Sequence, residues 1–413
     1  MIKEIQRWQV EDIQKALNTW RVAVISGARQ SGKTTLANQI AGKNCTFRTL
    51  DNNVSLNMAL EDPREFVRNP SGTMIIDEVQ KAPLLLNEIK IAVDKDSRPG
   101  QYLLTGSANI QTLPKINDSL AGRITHRRLR PLTQGEILGV KPIFLEKAFS
   151  KKFPLQIKGY NKSKIFDLAF RGGYPEAVKK NDERLRKQWH LEYINSLINR
   201  DMRDLENLKR QDVLSDLVRI LAGWSSKFMD NAKIGGQLAV SKPTFETYLN
   251  ALELMFVFEK ALPWTKTDYE YAGKKPKFYS TDTGLMVSVL GWNKNEVLLD
   301  PDRSGKLMET FIFQELSAQI DIDKYDYSLY QYRDHKKHEI DFIIERTDNS
   351  LIGIEVKASH SIDKSDFEPQ IWFRDNIIKG SREYTGYVIY SGEDVLRYSK
   401  DMIALPAAAL WTE

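Results

Sequence analysis

Gly27-Ala28-Arg29-Gln30-Ser31-Gly32-Lys33-Thr34 stands between a short apolar run, Val22-Ala23-Val24-Ile25, and a helical segment carrying Thr35, Leu36 and Ile40. Every fixed position of G-x-x-x-x-G-K-[ST] is filled, and the strand-before, helix-after context that this pattern needs is present. Glycines let backbone N–H groups turn toward phosphate oxygens, and the N-terminus of the following helix adds positive potential. Gly27, Ala28, Arg29, Gln30, Ser31, Gly32, Lys33, Thr34 and Thr35 are therefore the expected nucleotide-binding set. Lys33 is expected to reach the β- and γ-phosphates and the Thr34 hydroxyl to bind Mg2+, with ATP or GTP as the nucleotide.

The flanking segments extend the same pattern. Thr73-Met74-Ile75-Ile76 is an apolar strand that runs into Asp77 and Glu78, and Tyr102-Leu103-Leu104-Thr105 runs into Gly106-Ser107. Short apolar strands alternating with helical stretches predict a parallel α/β sheet. Ligands of such sheets bind at the carboxyl ends of the strands. Asp77 is placed there to hold Mg2+, and Glu78, one residue on, to orient and deprotonate an attacking water.

The chain has 413 residues, enough for two or three domains, with 41% hydrophobic and 28% charged residues, so disorder is not its default. A net charge of +5 permits nucleic-acid contact without arguing for it. Cys45 is the only cysteine, which excludes an intrachain disulfide and a cysteine-rich zinc site and suits a reducing cytoplasm. No apolar run reaches the roughly 18 residues of a membrane span, and the start lacks the apolar run of a signal peptide. His126, His190, His335, His338 and His360 have no metal-ligand spacing.

From about residue 145 to 262 the pattern is helical. Ile234 to Thr244 reads as helix, turn and new helix, with Ser241 as cap and Pro243 in the first turn. Phe245, Tyr248, Leu249, Leu252 and Phe256 then share one face, as in the second half of a winged helix-turn-helix. The basic run Lys274-Lys275-Pro276-Lys277 either tracks phosphates or is a solvated loop. Strands return at 277–281, 328–333, 339–345, 351–357 and 384–390.

In the C-terminal part, Ile340, Phe342 and Ile344 alternate along one strand, and Ile352, Ile354 and Val356 along the next, with turn residues between them. Bringing the two apolar faces together centres the hairpin on Asp348 and sets Asp341 opposite Glu355, with Lys357 on the same face. Like charges directly opposite are destabilising unless a divalent cation or Lys357 offsets them.

The order P-loop, Ile75-Ile76-Asp77-Glu78, Leu103-Leu104-Thr105-Gly106-Ser107 resembles the AAA+ ATPases. Further motifs narrow the likeness: Asp77-Glu78-Val79-Gln80, Ser119-Leu120-Ala121-Gly122-Arg123, Gly172-Gly173-Tyr174-Pro175-Glu176, Asp282-Thr283-Gly284-Leu285 and the 339–357 segment. Together they resemble a bacterial and archaeal group of AAA+ ATPases with a C-terminal nuclease-like domain of unknown function. The resemblance implies ATP as the nucleotide and a homo-oligomer. It implies Ser107 (or Asn109) beside the γ-phosphate as sensor. It implies Arg123 as arginine finger, from a neighbouring subunit or in cis, with Arg127, Arg128 and Arg130 close by as alternatives. No second sensor arginine is readable. Asp341 followed by Glu355-Val356-Lys357 resembles the PD-(D/E)XK nucleases, which implies a second divalent metal on the two carboxylates. Lys357 would then stabilise the nucleophile or the phosphate charge, and Glu309 would be the extra acid that some such enzymes carry. The alternative is a retained scaffold with a lysine–carboxylate ion pair.

The expected fold is thus α/β: a P-loop AAA+ parallel sheet at 1–140, a helical winged-helix region at 141–262, and an α+β nuclease-like domain at 263–413. The expected function is hydrolysis of Mg-ATP to act on a macromolecule, with DNA as the leading class. The alternative is a nucleotide-gated scaffold or signalling switch that binds a partner without cleavage.

Overall fold

The computed structural model describes residues 5–42, 45–106, 120–201, 211–266 and 275–412. The chain divides into two compact units. One takes the residues through Leu132 with the short segment Leu252–Val257, and the other takes Thr133–Ala251 and Phe258–Glu413.

In the first unit, strands β1 (Val22–Ser26), β2 (Cys45–Thr49), β3 (Thr73–Asp77), β4 (Tyr102–Gly106) and β5 (Ile124–Arg128) form one sheet in the order β2-β3-β4-β1-β5. Every adjacent pair is parallel, so all five carboxyl ends lie along one edge. β1 sits between β4 and β5 and is buried along its whole length, which is why it reads as an unbroken apolar run rather than an alternating one. Val22, Val24, Met74, Ile76, Tyr102 and Leu104 pack on one face with helix Leu85–Lys95; Ala23, Ile25, Ile75 and Leu103 pack on the other with Ile13, Leu36 and Ala37. The parallel α/β reading of this region therefore holds.

The second unit is α+β. Among the described residues its sheet has nine strands in the order β13-β14-β12-β11-β10-β9-β7-β8-β6. These are β6 (Lys227–Phe228), β7 (Phe258–Pro263), β8 (Lys277–Ser280), β9 (Tyr327–Arg333), β10 (Glu339–Arg346), β11 (Leu351–Lys357), β12 (Tyr384–Tyr390), β13 (Leu396–Ser399) and β14 (Met402–Pro406). The 22-residue helix Pro301–Ile322, capped by Asp300, lays Phe311, Ile312 and Leu316 into a core shared with Phe342, Ile344, Ile352, Ile354, Tyr387 and Ile389.

The β10–β11 hairpin has the register read from its apolar alternation, with Phe342 paired to Ile354 and Ile344 to Ile352. One face assignment needs correction. Ile340 does not share the face of Phe342 and Ile344; it joins Ile343 in the opposite core. An irregularity between Ile340 and Ile343 in the pairing with β9 inserts an extra residue, and such a bulge breaks the period of two and re-aims the side chains beside it.

Two sequence motifs of this unit, 172–176 and 282–285, prove to be packed together. Gly173 N donates to Asp282 Oδ2 at 2.7 Å, and Leu285 N donates to Asp282 Oδ1 at 2.7 Å. A Cβ on Gly284 would lie 2.8 Å from both the Arg171 carbonyl and the His190 ring, so only glycine permits this approach. No described helix is long and apolar enough to cross a membrane.

Buried carboxyls are expected to make the stability of this unit depend on pH. Burial raises Asp282 to about 6, and burial together with nearby Glu136 raises Glu315 to about 8, although Glu315 accepts the Gln134 N–H. Both folded values exceed the unfolded ones, so the folded state holds these protons more tightly. Their favourable contribution is complete below roughly pH 4 and is lost as pH rises to roughly 8. Stability from urea unfolding is expected to fall across that window by up to about 8 kcal/mol from these two groups. Asp282→Asn and Glu315→Gln should flatten the slope, and an unchanged slope in the double variant would refute the assignment.

Candidate active site

The P-loop follows directly from the carboxyl end of β1. Gln30 (φ 60°) and Gly32 (φ 99°) take left-handed conformations, which fold the backbone into a concave turn of the kind that gathers N–H groups around an anion. Gly27 has no room for a side chain: a Cβ there would lie 2.2 Å from the Leu129 carbonyl. Lys33 is buried, and its Nζ donates to the carbonyls of Gly27 at 3.0 Å and Ala28 at 2.9 Å, which holds the ammonium within the curve of the loop. Ser31 Oγ is buried with no hydrogen-bond partner among the described residues. Buried hydroxyls are normally satisfied, so an orphan inside this turn fits a ligand rich in acceptor oxygens. Thr34 and Thr35 are exposed in the first turn of helix Lys33–Ile40.

The acidic strand end closes on the same edge. Asp77 is the last residue of β3 and is buried. It accepts the Thr34 hydroxyl at 3.1 and 3.2 Å, the Thr49 hydroxyl at 3.4 Å and the Thr105 hydroxyl. Thr34 and Asp77, an exposed hydroxyl and a buried carboxylate in contact, are a donor set suited to Mg2+. Glu78 takes a left-handed conformation (φ 59°, ψ 43°), which costs a non-glycine residue about 1–3 kcal/mol. Its N–H donates to Thr105 Oγ1 at 3.3 Å, and its carboxylate accepts from Gln80 Nε2.

Arg123 stands apart from this group. It immediately precedes β5, and its carbonyl accepts the Val22 N–H at 3.2 Å, while the P-loop begins after Ser26 at the other end of β1. The five residues of β1 separate the two ends by about 13 Å. The guanidinium is instead paired with Asp94, Nε to Oδ1 at 2.5 Å and Nη2 to Oδ2 at 3.1 Å, and this bond holds Asp94 below the usual carboxylate range. In this arrangement the Arg123 guanidinium is engaged by Asp94 at the edge of the sheet away from its own P-loop. Arg127 and Arg130 are buried, and Arg127 is bonded to Asp12 and Thr125. Arg128 is half-buried and pairs in register with Ser26 at the P-loop end of β1. Ser107 and Asn109 lie outside the described residues.

One contributor had no sequence signal. Arg7 is buried and donates to the Ser31 carbonyl at 2.8 Å and the Arg130 carbonyl at 2.6 Å, tying the P-loop to the segment after β5.

The C-terminal carboxylates are gathered, but around a different lysine from the expected one. Lys277 Nζ lies 2.7 Å from Glu309, 2.7 Å from Glu339 and 2.9 Å from Asp341. Lys277 therefore does not belong to a solvated or phosphate-tracking run; it is buried on β8. The Tyr279 hydroxyl donates to Glu309 at 2.6 Å. Burial, and then the Asp341 charge, raise Glu309 to about 8. Asp341 also accepts the Val356 N–H at 3.0 Å. Burial and the facing Asp341 hold Glu355 well above the ordinary carboxylate range. Lys357 does not bridge the two facing carboxylates; it lies 3.5 Å from Glu355 and 3.6 Å from Asp366. No group of three or more His, Cys, Asp or Glu among the described residues has metal-holding geometry.

Residues 19–138 match the family model described as an AAA domain. Together with the five-stranded parallel sheet, this gives the N-terminal unit the AAA+ P-loop ATPase fold. Residues 162–296 and 304–410 match two models, each described as a domain of unknown function (DUF8612 and DUF4143). An uncharacterized protein of Mycobacterium tuberculosis is 26% identical over 405 residues, covering 97% of this chain and 83% of its own length. An uncharacterized protein of Methanocaldococcus jannaschii is 24% identical over 357 residues, covering 83% and 76%. Among solved structures, Thermotoga maritima RuvB is similar at 15% identity with a TM-score of 0.30, covering 65% of this chain and 94% of that one.

Proposed function

We propose that this chain binds and hydrolyses Mg-ATP at the N-terminal P-loop and couples turnover to work on a macromolecule, with DNA as its substrate class. The observation that carries the reading is the meeting of P-loop and acidic strand end: Asp77 bonded to Thr34, with Glu78 beside it. The backbone of residues 27–34 cradles the phosphates, and Lys33 supplies positive charge to the β- and γ-phosphates. Thr34 and Asp77 hold Mg2+, which neutralises charge on the phosphates. Glu78 takes a proton from the attacking water. Ser107 senses the γ-phosphate. Arg123 reaches the site of a neighbouring copy, so the active form is a homo-oligomer.

DNA as substrate rests on the middle region. Helices Asn231–Gln237 and Lys242–Leu254 form a helix–turn–helix in which Ser241 Oγ caps the second helix through the Thr244 N–H, and Phe245, Tyr248, Leu249 and Leu252 are buried. The antiparallel pair β7 and β8 follows as a wing, with β6 on its outer side. A groove of about 550 Å³ there is bordered by Lys242, Lys260 and Lys275 together with Asp230 and Glu246. Three functional regions, 1–140, 141–262 and 263–413, follow from this reading.

ATP turnover is expected to rise when duplex DNA is added, measured as phosphate release, and Lys242→Glu with Lys275→Glu should reduce the stimulation without lowering basal turnover. Turnover indifferent to DNA favours the second reading, a nucleotide-gated scaffold whose nuclease-like region binds a partner without cutting. The observation in favour of that alternative is Lys277, which occupies the acidic cluster where a catalytic metal would bind.

A further inference from the structure

We infer that the tip of the β9–β10 hairpin, His335-Lys336-Lys337, is a second contact for the phosphate backbone of duplex DNA, continuing the lysine-bordered groove beside the helix–turn–helix. The inference rests on the DNA reading given above and adds a surface outside both that groove and the acidic cluster around Lys277.

Charge at the tip is sorted by sign. Asp334 turns back into the hairpin: Oδ1 accepts the His338 N–H at 2.9 Å, and Oδ2 lies 2.8 Å from His338 Nδ1. The His338 ring in turn stacks on Trp372, centroids 3.6 Å apart. Glu339 is held by Lys277 at 2.7 Å. Both carboxylates are thus engaged, while His335, Lys336 and Lys337 are exposed and neither lysine has an ion pair among the described residues. Lys337 is also held in a left-handed conformation (φ 68°), where glycine or asparagine is the usual hairpin residue. An exposed lysine in a conformation that disfavours it gains nothing from packing, so its charge is the property left to explain it. Two backbone bonds fix the turn, Lys337 N to the Asp334 carbonyl and Asp334 N to the His338 carbonyl, each 3.1 Å. The tip also continues the groove. On β9, Gln331 Nε2 donates to the Lys275 carbonyl at 3.1 Å, and the Arg333 guanidinium lies 4.4 Å over the Phe228 ring. Lys275 borders the groove, and Phe228 directly precedes its Met229. Groove and tip therefore lie at one end of one sheet, within one unit. Solvated ammoniums suit phosphate oxygens, whose neutralisation releases counterions, rather than base edges. A docked protein would want an apolar centre, and residues 334–338 offer none.

The test titrates a fluorescein-labelled duplex of mixed sequence with the full chain, without nucleotide, by anisotropy between about 50 and 200 mM KCl. Lys336→Ala/Lys337→Gly is expected to bind about tenfold more weakly or worse, and to reduce the slope of log K against log salt by about 2. Its Tm should be no lower than that of the wild type, because glycine suits the left-handed position. Lys336→Arg/Lys337→Arg should keep the wild-type slope. If the double variant loses stability, Lys336→Ala alone decides: it leaves residue 337 in place and should reduce the slope by about 1, and no change there overturns the inference. It is also overturned if Lys336→Ala/Lys337→Gly keeps the wild-type slope while Lys242→Glu with Lys275→Glu reduces it, a result that leaves the DNA reading standing. A wild type that shows no salt-dependent binding to the duplex removes the DNA reading itself, and the inference with it.

Discussion

Replacing Glu78 with glutamine is expected to leave ATP binding near the wild-type level and to lower steady-state turnover by about 10²–10⁴-fold. The substitution keeps shape and length, so the left-handed turn at residue 78 and its N–H bond to Thr105 survive. Asp77 and its hydroxyl partners are untouched. Only the capacity to take a proton is lost. Lys33→Ala should behave in the opposite manner: removing the ammonium held beside the Gly27 and Ala28 carbonyls should cost tight binding itself. Equilibrium binding of a fluorescent ATP analogue separates the two, with phosphate release as the second readout. Wild-type hydrolysis by Glu78→Gln would remove Glu78 from the mechanism.

Arg123→Ala is expected to lower turnover by about 10³-fold or more while changing nucleotide affinity much less. Arg123 stands beside the start of β1, and the P-loop leaves its far end, so a neighbouring copy is the expected recipient of this side chain. The lost Asp94 pair is partly exposed, and such pairs contribute little to stability, so a fall in activity will not reflect unfolding. Mixing Arg123→Ala with Glu78→Gln protein should restore part of the activity, because some junctions then carry Glu78 on one side and Arg123 on the other. Light scattering should show assembly that depends on nucleotide. A fully active monomer under assay conditions would overturn the intersubunit role.

Much of the first unit was legible because its chemistry is local in the chain. Residues 27–34 form one backbone turn, and a turn is specified by consecutive residues: glycines where left-handed conformations or close approach demand them, then a lysine and a hydroxyl. Asp77 and Glu78 were equally readable, since an apolar run that ends in two acids places them at a strand end whatever lies around it. Arg7 gave no such signal. It acts on carbonyls 24 and 123 residues away, and a lone arginine near a chain start looks like any solvated one.

The hairpin shows both sides of this division. Alternating Phe342, Ile344, Ile352 and Ile354 set its register, because a slip by one residue would turn every apolar side chain to the wrong face. The bulge that removes Ile340 from that face depends on pairing with β9, a partner that the hairpin's own alternation does not reveal. Met402–Pro406 escaped detection as a strand for a related reason. It is five residues long, ends in proline and is buried throughout, so it has neither alternation nor length to mark it.

Lys277 is the sharpest case. In the chain it closes a run of basic residues and reads as phosphate-tracking or solvated, because charge is normally left in water. Burying it costs desolvation, and only partners brought in from elsewhere can offset that cost. Those partners, Glu309, Glu339 and Asp341, are 32, 62 and 64 residues away along the chain. What the sequence by itself determined about this protein is therefore each motif whose residues act as neighbours along the backbone: the phosphate loop, the acidic strand end and the hairpin. Which lysine meets which carboxylates, and which edge of its sheet an arginine occupies, was decided by tertiary structure alone, because those contacts join distant segments whose spacing leaves no periodic trace.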